Sequence, residues 1–298
     1  MLIELLHDIC YKDLMKNKHR RLIVSFSIYM LLTTILFPQE VHKSNILQTA
    51  QQLRSFLVEP GDANLPDNAV NLQTQFKHLL RDMFIEVMKK NPDAESTELK
   101  QLFESALKSK GIKYETSDIG YDSKAKFSIY GFVFPITIDK QKSHPQLLAV
   151  TIPVSVMCGK DTSLYLFERQ NEQYQHILSY EAPTYKTIDK AHSLFQYQIS
   201  PKDRNGKYFI VAANVNPWCS SNWQELHYVV LRPGRSPDKP KILLKGKDII
   251  YIGANEPIYS LAVTYSGFSL DFTGEDPDPE IIMKHHHIKH TIHNNTIY

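Results

Sequence analysis

The sequence predicts an α+β protein: an N-terminal export or anchor segment, a small helical subdomain, and then an antiparallel all-β domain built as a sandwich or barrel. Three observations carry that reading. Apolar residues recur at helical spacing between residues 44 and 111, and from about residue 113 the period falls to two. No helical pattern interrupts the later strands, so a parallel α/β sheet is disfavoured. The boundaries that follow are 1–38 for the segment, 39–112 for the helices and 113–298 for the β domain.

The first helix spans Ser44 to Val58 and places Ile46, Leu47, Ala50, Leu53 and Leu57 on one face. Breakers at Pro60, Gly61 and Pro66 end it, and Asp67 is the expected N-cap of a second helix carrying Leu72, Phe76, Leu79, Leu80, Met83 and Val87. That helix stops near Asn91-Pro92. A third carries Leu99, Leu102, Phe103, Ala106 and Leu107 and stops at Gly111.

Alternation begins with Phe127 to Ile129 and Phe132 to Ile138, out of phase across Gly131, where a bulge or tight turn is expected. Leu148 to Val156 forms the strongest strand. Short alternating runs follow at Ser163–Glu168, Tyr174–Tyr180, Leu194–Ile199, Tyr208–Ala213, Leu226–Leu231, Ile242–Leu244, Ile249–Ile252, Tyr259–Thr264, Phe268–Phe272 and Ile281–Ile292. Pro201 to Gly206 and Arg232 to Pro237 read as turns between them. An alternative architecture groups the strands as 127–180, 194–245 and 249–292, a partial propeller-like stack of four-stranded sheets, although three blades are too few for closure.

Composition bounds the function. The chain has 298 residues, 42% hydrophobic and 11% aromatic, which is too apolar for a disordered chain. Its formal charge of +2 arises in residues 1–38, where five Lys and Arg face three Asp and Glu, leaving a neutral remainder ill suited to binding nucleic acid. The uncharged run Leu22 to Phe37 follows Lys16, Lys18, Arg20 and Arg21, the order of a signal peptide or membrane anchor with its basic end kept in the cytoplasm. Met15 opens a more ordinary basic region, so translation from there is expected. Of three cysteines, Cys10 precedes the apolar run, which leaves Cys158 and Cys219 as an even pair for one disulfide in an exported domain.

The densest candidate site is Asn214 to Trp223, which holds both tryptophans. Trp218 and Trp223 offer aromatic faces and Asn214, Asn216 and Asn222 offer amides, the chemistry that covers a sugar's apolar face and bonds its hydroxyls. The plainer reading is a long connection stapled by Cys219. His285 and His287 alternate onto one side of the last strand and could share a metal ion, but no third ligand has a recognisable spacing, and Lys284 and Lys289 would repel a cation. Glu275 to Glu280 lacks the order of a calcium loop, and Asp118 with Asp122 is the remaining carboxylate pair. Phosphate-loop, dinucleotide-binding and nucleophile-elbow motifs are absent from the sequence.

The expected function is therefore a non-enzymatic binding or structural module of the envelope or extracellular space, with a protein or glycan surface as partner and no cofactor. An envelope hydrolase using Asp118 or Asp122 beside the tryptophan loop, and a histidine-dependent metal binder, are the alternatives.

Overall fold

The computed structural model describes residues 45–59, 61–114, 127–217, 219, 221–252, 258–274, 284–293 and 296–297. Leu22–Phe37, Trp218, Asp118, Asp122 and Glu275–Glu280 lie outside them. Among the described residues no helix is long and apolar enough to cross a membrane.

The fold is α+β and dominated by antiparallel strands. Helix α1 (Ile46–Ser55) starts at Asn45, whose Oδ1 accepts from the Leu47 amide at 3.0 Å. A two-residue strand β1 (Leu57–Val58) leads to helix α2 (Asp67–Lys90). Asp67, expected as the N-cap, is instead the first helical residue: Pro66 takes the cap position, and the Asp67 carboxylate pairs with Lys186 at 2.8 Å. Helix α3 (Ser96–Ser109) ends as its glycine requires, with Gly111 at φ 70° and the Ile112 amide donating back to Leu107 O. The three helices share a core with one face of a four-stranded sheet.

That sheet has the order β3 (Thr137–Lys140), β4 (Leu147–Val156), β5 (Gly159–Gln170), β6 (Gln173–Tyr180). Strand β4 is buried along its whole length because both faces are covered. Leu148, Val150, Ile152, Val154 and Val156 meet the helices, and Leu147 and Ala149 meet a second sheet. The expected phase slip at Gly131 is a tight turn beyond strand β2 (Phe127–Ser128). Its φ is 79°, and a Cβ there would lie 2.5 Å from Ala50 O, so only glycine lets α1 approach.

The second sheet has eight strands: β7 (Ser193–Ile199), β8 (Ile210–Val215), β9 (Trp223–Ser236), β10 (Lys239–Tyr251), β11 (Tyr259–Thr264), β12 (Gly267–Gly274), β13 (Lys284–His293) and β14 (Thr296–Ile297). The order is β14-β13-β12-β10-β9-β8-β7, with β11 on β12. The propeller-like grouping fails at β10, one continuous strand where the sequence reading had two, which joins the second and third groups into one sheet. The expected turn at Arg232–Pro237 is displaced too: β9 runs through Pro233 and Gly234, and irregular register at Lys239–Lys241 absorbs the prolines.

One face of this sheet packs Ile199, Ile210, Ala212, Val229 and Leu231 on the four-stranded sheet, forming a sandwich. The other face curls into a half-barrel around Val211, Ala213, Leu226, Val230, Leu261 and Leu270. Side chains close the curl. Gln196 and Gln198 donate to Tyr259 O and Leu261 O at 3.3 and 2.6 Å, and Gln198 Oε1 accepts from the Val263 amide.

A buried ion pair ties the layers together. Lys77 of α2 is 2% exposed and donates to Asp161 Oδ2 at 3.0 Å and to Ala182 O at 3.1 Å. Tyr185 OH donates to the same Asp161 oxygen at 2.8 Å, and the His192 amide to its other oxygen at 3.2 Å. Burial alone would raise the Asp161 carboxyl, but Lys77, His192 and Tyr185 hold it below the usual carboxylate value. Cys158, at φ 59° in the two-residue turn between β4 and β5, is joined to Cys219 across 61 residues.

Two outcomes are expected in denaturant unfolding. Lys77→Met strands a buried carboxylate and lowers stability by about 3–5 kcal/mol, much of it regained in the Lys77→Met/Asp161→Leu double variant. Replacing both Cys158 and Cys219 by Ser lowers stability by roughly 4 kcal/mol if loop closure governs the disulfide's effect.

Candidate functional site

The inner face of the second sheet changes character along its length. Cross-strand pairs run Ile210↔Leu231 and Ala212↔Val229, then Asn214↔His227, with Lys245 and Lys247 opposite Val229 and His227 on β10. Because side chains on one face recur every second residue, the apolar half meets the four-stranded sheet, and the polar half continues past it. Asn216 extends the series, its amide donating to Glu225 O at 3.3 Å.

Beyond the apolar contact lies a cleft of about 600 Å³. The polar half of the large sheet forms one wall, through Asn214, Asn216 and His227. Tyr180 and Glu181 at the end of β6, with Asp189, Lys190 and His192 of the following connection, form the other. Asp238 and Pro240, at the tip of the β9–β10 hairpin, close one side. The tip is held there: Asp238 Oδ1 accepts from Arg81 at 2.9 Å and from Ser179 Oγ at 2.7 Å, and the Ser179 amide donates to Pro237 O at 2.9 Å.

His192 is positioned by the buried ion pair. Its amide is fixed on Asp161, its carbonyl accepts from the Thr162 amide at 2.9 Å, and its ring stacks on Tyr180 at 4.7 Å, with Phe195 at 6.0 Å. Burial lowers its pKa to about 4, so the ring is neutral near pH 7. Asn214, Asn216 and His192 are 2%, 5% and 6% exposed. Asn214 Oδ1, Asn216 Oδ1, His192 Nδ1 and His227 Nε2 have no hydrogen-bond partner within the described protein, so four buried polar atoms of residues lining one cleft are unsatisfied. Each such atom costs about 1–3 kcal/mol unless solvent or a ligand supplies the bond.

Several acidic groups of the cleft have basic neighbours. Asp189 pairs with Lys190 at 2.8 Å and Glu181 lies 3.3 Å from His78, and Lys245 also lines the cleft; just outside it Glu225 pairs with Lys247 at 2.7 Å and lies 3.1 Å from His227 Nε2. For Glu181, Asp189 and Asp238 burial acts to raise the pKa, and their partners more than offset it: all three lie below the ordinary carboxylate value. Each is ionised at neutral pH, and none is a proton-holding general acid. Ser179, His176 and Asp238 resemble a nucleophilic trio only in composition. The single Ser179 proton goes to Asp238, and His176 Nε2, 3.1 Å from Ser179 Oγ and 3.2 Å from Leu178 O, has no proton to take from it.

Of the residues singled out in the sequence, Asn214 and Asn216 line this cleft. Trp223 lies in a neighbouring shallow cleft that Asn216 also lines, and Asn222, exposed, donates to Tyr251 OH at 3.4 Å. His285 and His287 do share one side of β13, and Asp271 of β12 stands beside them, 2.7 Å from His287 Nδ1 and 3.5 Å from His285 Nε2. Among the described residues no three such side chains are arranged to hold a metal ion. Sequence reasoning missed His192, Tyr180 and the Asp189–Lys190 pair, which come from separate elements and have no shared spacing. A larger cleft of about 800 Å³ borders the disulfide, and three of its hydroxyls are engaged within the protein, Thr137 with Thr151 at 2.7 Å and Ser155 Oγ donating to Ile129 O.

His192 gives the cleft a pH signature. The unfolded chain protonates this ring near pH 6.5 and the folded chain only near 4, so its stabilising contribution is complete above pH 6.5 and is lost as pH falls toward 4. His192→Gln should flatten the stability–pH slope in that window by up to about 1.4 kcal/mol per pH unit, read from urea unfolding at stepped pH. The depressed pKa values of His176 and His227 leave the variant a residual slope. Comparison with protein-family models, with curated proteins and with solved structures finds no match to this chain.

Proposed function

We propose that this protein is an exported, non-enzymatic binding module of the cell envelope or extracellular space, and that its cleft takes a neutral, hydroxyl-rich ligand, a glycan surface. The observation that carries the reading is the convergence of Asn214 Oδ1, Asn216 Oδ1 and His192 Nδ1, buried and unpaired, on one cleft. Two carboxamides and a neutral imidazole both donate and accept, which suits hydroxyls better than a charged ligand. The Asp189–Lys190 pair of this cleft and the Glu225–Lys247 pair of its neighbour are each matched in sign, which supports a neutral ligand. The ionised, cation-paired state of Glu181, Asp189 and Asp238 supports binding over hydrolysis.

The compartment is part of the proposal. The Cys158–Cys219 disulfide supports an oxidising environment, and the basic-then-apolar order of Lys16 to Phe37 supports export, as a cleaved signal or a retained anchor.

A binding assay paired with a stability assay tests the reading. The protein should bind members of a panel of neutral oligosaccharides, and Asn214→Leu should weaken that binding by tenfold or more, about 1.4 kcal/mol. The same variant should keep or raise the thermal midpoint, because it removes an unsatisfied buried group. Absence of binding across the panel, or binding indifferent to Asn214 and Asn216, would overturn it.

A further inference from the structure

The cleft does not end at Asn216. Asp189, Lys190 and Asn216 also line a second, shallower cleft of about 530 Å³, whose other walls are Trp223, Gln224, Glu225, Lys247 and Ile249. Trp223, Glu225, His227 and Val229 alternate onto one face of β9, so the floor of both clefts is one row of side chains. At the rise of an extended strand, the six steps from Trp223 to Val229 span roughly 20 Å. That is longer than a single hexose ring.

The second cleft is firmly built at its aromatic end. Trp223 meets Tyr251 edge to face at 5.0 Å, its amide donates to Ser221 Oγ at 3.1 Å, and Gln224 Nε2 donates to Ser221 O at 2.9 Å. The buried, unpaired Oδ1 of Asn216 sits where the two clefts join. An amide at a junction, flanked by matched charges on one side and a tryptophan on the other, fits a repeating neutral chain that crosses from one cleft to the other.

From this juxtaposition we infer that the ligand is an extended glycan chain bound along a continuous groove, with Trp223 as the platform of a second subsite and Asn216 as the contact shared by both. The inference rests on the glycan reading of the first cleft. A small sugar fills the subsite at Asn214 and His192, and added units reach Trp223, where an aromatic face covers the apolar side of a sugar ring.

The test is a length series. Neutral cello-, chito- and malto-oligosaccharides of two to six units are titrated against the full chain, with calorimetry as readout. In the series that binds, affinity should rise at least tenfold between two and six units. Trp223→Ala should abolish that gain and leave the affinity for the disaccharide within about twofold, whereas Asn214→Leu should weaken short and long chains alike. Lys247→Ala, an exposed change in the same wall, should reduce the gain and guards against misfolding of the tryptophan variant. Affinity independent of length, or a gain that survives both Trp223→Ala and Lys247→Ala, would overturn the extended groove while leaving the first cleft standing. No binding in any series would overturn both.

Discussion

Lys77 and Asp161 form the contact on which the rest of the arrangement depends. Two opposite charges removed from water are tolerable when further hydrogen bonds replace their lost hydration, and here Ala182 O, Tyr185 OH and the His192 amide supply them. The consequence is geometric. The pair fixes the middle of α2 to the start of β5 and binds the connection from Ala182 to His192 to both. That connection carries Asp189, Lys190 and His192 into the cleft, so the charge pair that joins helices to sheet also places one wall of the candidate site.

The other wall depends on where one sheet outruns another. The four-stranded sheet covers Ile210, Ala212, Val229 and Leu231, and beyond its edge the same face carries Asn214, Asn216, His227 and Glu225. A polar residue at a strand position that would otherwise be core is destabilising unless something bonds it. The switch from apolar to polar along a single face is the physical mark of the cleft. The hairpin tip pinned through Asp238 and Arg81 encloses it without adding a further unpaired group.

Much of this was legible in the sequence, and particular residues show why. Period-two alternation located most of the strands because each has one apolar face, and β4 stood out because both its faces are covered. Lys77 was not singled out, because the stripe read for α2 was Leu72, Phe76, Leu79, Leu80, Met83 and Val87, whereas the buried one also holds Gln73, Lys77 and Phe84. Its partner was not legible, since Asp161 lies 84 residues away in a strand whose neighbours are small and polar. Asn214 and Asn216 were visible as amides flanking an aromatic loop. His192 was not, because its role is set by stacking on Tyr180 and by a backbone bond to Asp161, neither of which leaves a spacing in the chain. Continuity of β10 was hidden by Lys245, Gly246 and Lys247, which read as a break and are paired across β9 throughout.

The closure of the half-barrel has a consequence for the protein in company. An unpaired strand edge is a template for another chain, and sheets of this size present two. Here the facing edges of β7 and β11 are spanned by the side-chain amides of Gln196 and Gln198, which bond Tyr259 O, Leu261 O and the Val263 amide. Carboxamides carry the same donor and acceptor pair as the backbone, so they occupy the edge as a neighbouring strand would, yet with side-chain freedom that a ladder lacks. The seam satisfies those main-chain groups and denies them to a second molecule, and Tyr259 OH, donating to Leu194 O and Ala213 O, bolts it from the inner side.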